Sequence, residues 1–381
     1  MNLVIHDLSP AGWHEIEKDY EGCNVISDNG TIKPCTGCFS CWHRTPGQCI
    51  VKDGYENMGA MIHQADEVTV ISRYTYGGFS GFVKNVFDRC LGYVLPQFEV
   101  VNGETHHQRR YEEDKPFTFI FYGHSLTDEE KKSAVKYVTA VCANVRSHVK
   151  EVIFQDCEGT ITERHDSTVI PSGKTVLLNA SMRFVNGNSA NLARKLAEQL
   201  NEEAKTVNLM MYAGRMAELN LLLEDASTIV ICTPLYVDGL PSQLIRFMEQ
   251  YQREYGGPSK RIYVLANMGL YESSQLTNLF ESIRQWCNKM NFEYNGGLGV
   301  SAGEVIGVLI QKVPFNLGPA KNTCEGMKKL AEAVNDHAGM DVILAEPYRF
   351  PCSLFTLIAN RSWNVYARKN GLKPKDLYRK L

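Results

Sequence analysis

Short continuous apolar runs alternate with amphipathic stretches along most of this chain. Phe117-Thr118-Phe119-Ile120-Phe121-Tyr122 precedes a helical pattern over Asp128–Asn144, and the apolar run 261–266 precedes another over 273–290. A further run, Lys174-Thr175-Val176-Leu177-Leu178, leads into a helix carrying Leu192, Leu196 and Leu200 on one face. Apolar runs of five or six residues bounded by turn residues predict strands buried on both faces. Their alternation with helices predicts βαβ units around a parallel sheet. The pattern also repeats. Residues 65–72 superpose on 226–233 at an offset of 161, and the same offset pairs Gly78 with Gly239 and Val83 with Leu244. Each copy reads as strand, Gly-rich turn and helix.

The expected architecture is α/β, with two tandem doubly wound parallel sheets over 1–165 and 172–340 and a C-terminal helical tail over 341–381. The boundary falls in 157–173, which is rich in Glu, Thr, Asp, Pro and Gly. The tail reads as an amphipathic segment, 353–365, followed by a basic end.

The chain has 381 residues, of which 44% are hydrophobic and 22% charged, enough apolar material for two cores. Lys and Arg number 40 against 43 Asp and Glu, a net charge of −3, with no basic stripe to suggest a nucleic-acid partner. No apolar run approaches the about 18 residues that span a bilayer, so no membrane partner is expected. Met1-Asn2-Leu3-Val4-Ile5-His6-Asp7 has no basic segment of the kind that opens a signal peptide. Twelve cysteines are too few for a disulfide scaffold of this length, and the expected location is the cytoplasm.

Candidate chemistry lies first in Asn179-Ala180-Ser181-Met182-Arg183-Phe184-Val185-Asn186-Gly187-Asn188-Ser189. A strand, a polar loop with hydroxyl and amide groups, and a helix that begins near Ser189 suit a phosphate monoester, and the alternative is an ordinary helix start with Ser189 as its N-cap. The loop is neither a P-loop nor a dinucleotide fingerprint. In a doubly wound sheet, ligands bind outside the carboxyl ends of the strands at the switch point. Two more loops should converge there, Thr233 to Pro241 and Asn267 to Tyr271. Their Gly, amide, aromatic and small apolar residues suit a flat heteroaromatic ring. No acid–base catalytic residue stands out.

A second candidate is Cys35-Thr36-Gly37-Cys38-Phe39-Ser40-Cys41, continued to Cys49 in the spacing C-x2-C-x2-C-x7-C. Four thiolates so close can converge on one soft metal centre. The spacing admits a 4Fe–4S cluster, a zinc site, or free thiols with or without a local disulfide. The remaining cysteines are scattered and read as small core residues.

The order S-x-R-x-x-G-N-S, T-P-L-Y-x-x-x-L-P-x-x-L, then a Gly-containing loop resembles the NADPH-dependent FMN reductases, over about 174–310. The resemblance implies a flavodoxin-like fold in each half. It further implies an FMN-dependent oxidoreductase reduced by NAD(P)H or an electron carrier, acting as a homodimer on a small electron acceptor such as a quinone, a flavin or an electron-poor aromatic. By that likeness Ser181, Arg183, Gly187, Asn188 and Ser189 hold the FMN phosphate, Pro234, Leu235, Tyr236 and Val237 line the ring edge, and Asn267, Met268 and Gly269 close the far side. The cysteine segment also resembles the iron–sulfur flavoproteins, which implies an electron carrier as the alternative. With Trp42, Thr45, Pro46 and Gly47 it resembles as well a metal-free loop of flavodoxin-like reductases.

The first half has no S-x-R-x-x-G-N-S. Its first strand runs into Asp7-Leu8-Ser9-Pro10-Ala11-Gly12, and about ten residues later the next strand begins, so the first helix is short and a complete phosphate cradle is not expected. Ser72 to Ser80 resembles the ring-side loop of the family, with Arg73 and Thr75 departing from it. Lys84, Asp88 and Arg89 match the helix that follows.

Overall fold

The computed structural model describes residues 1–157, 168–312 and 314–381, and the expected boundary at 157–173 lies largely outside them. Two compact units emerge: Met1–Ile161 together with Thr356–Leu381, and Thr162–Phe355.

The first unit contains β1 (Leu3–His6), β2 (Asn24–Ser27), β3 (Val68–Arg73), the hairpin β4 (Val94–Val101) and β5 (Glu104–Arg109), β6 (Pro116–Gly123) and β7 (His148–Asp156). Five of these form a sheet ordered β2-β1-β3-β6-β7, with every pair parallel. The second unit contains β8 (Lys174–Asn179), β9 (Lys205–Asn208), β10 (Ala226–Pro234), β11 (Arg261–Asn267), β12 (Glu293–Val300) and β13 (Ile343–Ala345). Its sheet, β13-β12-β11-β10-β8-β9, is also parallel throughout. In both, the chain steps from the first strand to one side and then reverses to build the other. That is the doubly wound, flavodoxin-like order, with a sixth strand added in the second unit.

The apolar runs explain the layers. β10 is buried along all but its last residue, as a strand covered on both faces must be. Leu177, Val230, Tyr263, Leu265 and Leu298 form one core with Leu192 and Leu196 from the helix Asn188–Ala197. The helix Asp128–Asn144 opens with a reciprocal Thr127–Glu130 capping box and buries Ala134, Tyr137, Val138 and Val141.

The end of the chain belongs to the first unit. Trp363 packs edge-on against Trp42 at 5.3 Å, and Asn360 bonds both the N–H and the carbonyl of Phe98. The buried Arg110 guanidinium donates to the carbonyls of Gly92, Leu377 and Arg379. Burial lowers it to about 10.

Candidate functional site

The carboxyl ends of β10, β11 and β12 finish in register, with Pro234 opposite Asn267 and Asn267 opposite Val300, while β8 ends at Asn179 opposite Cys232, two residues short of the end of β10. The reversal of strand order falls between β8 and β10, so their exits flank the crevice in which doubly wound folds bind ligands.

The first exit is 180–187. Asn179 is fully buried and anchors the loop: its carboxamide donates to Phe184 O and Asn208 Oδ1 and accepts from the Ser181 N–H. Sequence reasoning missed this role, although an Asn closing an apolar strand just before a polar loop is a legible signal. Ser181 Oγ accepts from the Arg183 N–H, and Phe184 turns the chain at φ +52°. The helix begins at Asn188, with Gly187 as N-cap and no side-chain cap bond. Ser189 is therefore not the cap. It lies buried in the first turn and donates to Asn267 Oδ1 at 2.6 Å. A Cβ on Gly187 would lie 2.2 Å from Ser181 Oγ, so any side chain there would push that hydroxyl out of its present position. With no side-chain cap, the first N–H groups of the helix have no intrahelical partner. Arg183 reaches Glu304 at 3.5 Å through an exposed ion pair, which binds it weakly.

The second exit is a tight turn. Tyr236 and Gly239 exchange two backbone bonds of 3.0 Å, with Val237 at φ +38° and Asp238 at φ +58° between them. Positive φ at both central residues marks a type I′ turn, and a β-branched residue there is strained. Pro234, Leu235, Tyr236 and Val237 are all half-buried, an apolar rim that is neither core nor open surface. The third exit meets the others at Asn267: its carbonyl accepts from the Leu235 N–H at 2.8 Å while its side chain accepts from Ser189. Met268 is buried and contributes its backbone, whose carbonyl accepts from the Gly303 N–H. Gly269 faces open space, with nothing within 4 Å of an added Cβ. Tyr271 is committed elsewhere, donating to Phe350 O.

A flavin mononucleotide fits these residues. The uncapped helix start beside Ser181 and Arg183 offers donors to a phosphate, and the half-buried rim and the open space at Gly269 suit a flat ring.

The corresponding exit of the first unit is filled. His6, which like Asn179 ends the first strand, is buried and stacks on Trp13 at 4.1 Å. Asp7 accepts the Arg73 N–H on both carboxylate oxygens, at 3.0 and 3.2 Å. Burial raises the Asp7 carboxyl above its usual range, with Ser80, Arg73 and Tyr122 pulling it back. Ser9 caps a helix of only seven residues, Pro10–Ile16. The ring-side turn is conserved in geometry: Thr75 and Gly78 exchange two backbone bonds, with Tyr76 and Gly77 at positive φ. Lys84 and Asp88 form a buried ion pair with each other, and Arg89 pairs with Asp53 at 2.7 Å. Their role here is structural.

The cysteine loop is tightly built. The Trp42 indole donates to Leu91 O and Val94 O, Phe39 stacks on Trp42, and His43 bonds Asn370. Among the described residues, no group of three or more His, Cys, Asp or Glu side chains is placed to hold a metal ion. Cys38 is exposed whereas Cys35, Cys41 and Cys49 are half-buried. Burial and the nearby Asp88 charge push the Cys35 thiol up to about 12, and burial beside Cys35, Cys49 and Cys38 raises Cys41. Burial also pushes Cys38 up, but the Ser40 and Thr36 hydroxyls and nearby N–H groups outweigh it and leave that thiol below its ordinary value.

No family model and no curated protein matches this chain. Solved structures similar to it include a Trp repressor binding protein from Bacillus subtilis, 19% identical over 34% of this chain and 84% of its own, with a TM-score of 0.29. Another is an FMN-dependent NADH-azoreductase from Bacillus anthracis, 16% identical over 43% of this chain and all of its own, with a TM-score of 0.31. A third is an NAD(P)H:quinone oxidoreductase from Methanothermobacter marburgensis, 12% identical over 45% of this chain and all of its own, with a TM-score of 0.30. Among the described residues, no helix is long and apolar enough to cross a membrane.

Proposed function

We propose that this chain is an FMN-dependent oxidoreductase that binds its flavin in the second unit. It passes electrons from NAD(P)H to a small acceptor such as a quinone, a free flavin or an electron-poor aromatic. The observation that carries this reading is the convergence of three strand exits on Asn267, which binds Leu235 through its carbonyl and Ser189 through its side chain.

In this reading, the N–H groups of Asn188 and Ser189, the Ser181 hydroxyl and the Arg183 guanidinium hold the phosphate. Pro234 to Val237 line one edge of the ring, and Asn267, Met268 and Gly269 the other. Bound FMN supplies the electron chemistry, taking electrons in pairs and releasing them singly or in pairs. The chain's own contribution is to bind, orient and desolvate, which is why it needs no catalytic acid or base. A homodimer is the assembly this reading expects.

The test is titration of the purified protein with FMN and with riboflavin, which lacks the phosphate, followed by flavin fluorescence. Arg183→Ala should weaken FMN about tenfold or more, the worth of a charge-assisted contact, and leave riboflavin unchanged. NADH and NADPH oxidation with a quinone acceptor then tests turnover. Failure of the protein to bind added FMN overturns the reading.

A further inference from the structure

The tail helix Cys352–Lys369, which from Thr356 on belongs to the first unit, carries apolar residues on two sides. One side is used by the fold. Trp363 and Ala367 are buried there, and Asn360 bonds the backbone of Phe98. The opposite side of a surface helix is ordinarily polar. Here Leu357, Ile358 and Val365 stand 47, 44 and 47% exposed. With the exposed Arg361 and Arg368 they fall within an arc of about 100° that points away from Trp363 and Ala367. Single exposed apolar residues need no explanation, but three on one arc, interleaved with cations, make a stripe.

Charge decides what can cover it. From Pro347 to Lys375 the chain has six Lys and Arg residues and no Asp or Glu. Arg361 and Arg368 enter no ion pair among the described residues. Lys369, Lys373 and Lys375 follow at the end of the helix and just past it, all exposed. A second copy of this chain laid on the stripe about a twofold axis would set arginines against arginines, with no carboxylate from either helix between them. An anionic lipid surface meets both demands: it takes in the apolar side chains and lets the Arg stems reach its head groups.

We propose that this helix docks in the plane of an anionic membrane surface, with Leu357, Ile358 and Val365 buried at the headgroup boundary and the cations from Arg361 to Lys375 facing acidic head groups. A helix that lies on a bilayer needs no apolar run long enough to span it. A chain held there meets lipid-soluble electron acceptors; that consequence rests on the flavin reading, whereas the docking does not.

The experiment is co-sedimentation of the full-length chain, without added flavin, with vesicles of phosphatidylcholine alone and of phosphatidylcholine and phosphatidylglycerol in equal parts. Binding to the mixed vesicles should exceed binding to phosphatidylcholine by about tenfold or more, because each cation near the surface adds a severalfold gain, and raised salt should reverse it. Leu357→Ser combined with Val365→Ser should weaken binding about tenfold or more. Both positions face solvent, so this variant should keep the wild-type urea midpoint. Arg361→Gln combined with Arg368→Gln should weaken binding to the mixed vesicles alone. No binding to the mixed vesicles, equal binding to both kinds, or a serine variant that binds as the wild type does would overturn the proposal. So would a wild-type dimer in sedimentation velocity that the serine variant dissociates and vesicles do not displace, since a second copy then covers the stripe.

Discussion

Replacing His6 by Phe should remove about half of the acid sensitivity of the first unit. His6 is 2% exposed, and neither ring nitrogen meets a protein partner among the described residues. Burial lowers its ring to about 4 from 6.5. The sign follows from proton counting. In the unfolded chain the ring takes a proton as pH falls through 6.5, while the folded ring resists until about 4, so stability is full above pH 6.5 and drains between 6.5 and 4. Between pH 7 and pH 5 the loss is about 2 kcal/mol for such a shift. His107, also lowered to about 4 by burial and only partly restored by the backbone of Leu95 and Pro96, adds a similar loss in the same direction. Asp7, raised by burial, pulls the opposite way, its contribution present at low pH and lost as pH rises. The difference between wild type and His6→Phe therefore isolates His6. Phe keeps the stack on Trp13 and removes two unpartnered polar atoms, so at pH 7 the variant should be as stable as the wild type or more so by about 1 kcal/mol. Urea unfolding followed by tryptophan fluorescence suits the measurement, because Trp13, Trp42 and Trp363 all report the first unit. A variant that loses as much between pH 7 and pH 5 as the wild type, or a His6 ring that titrates near 6.5 by NMR, refutes the reasoning.

Ser189→Ala strips the donor from a buried Asn267 oxygen. It should cost about 1–3 kcal/mol in urea unfolding and weaken FMN binding in the same fluorescence titration. Lys84→Met leaves Asp88 buried beside an apolar chain and should cost about 3–5 kcal/mol, read as a lowered denaturant midpoint, with FMN affinity in the second unit unchanged. Equilibrium dialysis should saturate at one FMN per chain, and two would show that the first unit retains a cradle.

The strands and helices that sequence reveals best are those whose burial alone dictates their composition. The helix Asp128–Asn144 and the strands β6, β10 and β11 follow the expected runs, because a strand covered on both faces has to be apolar. The hairpin β4–β5 escaped, since β5 reads Glu-Thr-His-His-Gln-Arg; its signal was Asn102-Gly103, the pair that a type I′ turn demands. Strand β12 escaped for the opposite reason. Three of its eight residues are glycines, poor strand formers, yet a Cβ on Gly296 would lie 1.9 Å from Met340 O and one on Gly297 2.0 Å from Val264 O. Only a bare backbone fits there. In the site, residue types predicted the loops but not their wiring. That Ser189 serves Asn267 rather than capping its own helix is a tertiary fact, written 78 residues away.

The two units share one frame and differ at the exit where the proposed site lies. Both fold their parallel strands in the same order, and both follow the third strand of the sheet with the same strained two-residue turn, at Tyr76-Gly77 and Val237-Asp238. What differs is the exit of the first strand. After β8, an amide closes the strand and a glycine caps a ten-residue helix that has no side-chain cap bond. After β1, an imidazole closes the strand and packs on an indole, and Asp7 already supplies the anion that the surrounding N–H groups would otherwise seek. A phosphate entering there would meet a carboxylate in place of donors, and would have to displace a stacked aromatic pair from the core. In the flavin reading the ring-side turn is not enough by itself, because the charge that anchors a flavin nucleotide lies at the phosphate end. The site thus depends less on the fold than on the few residues that leave the first strand.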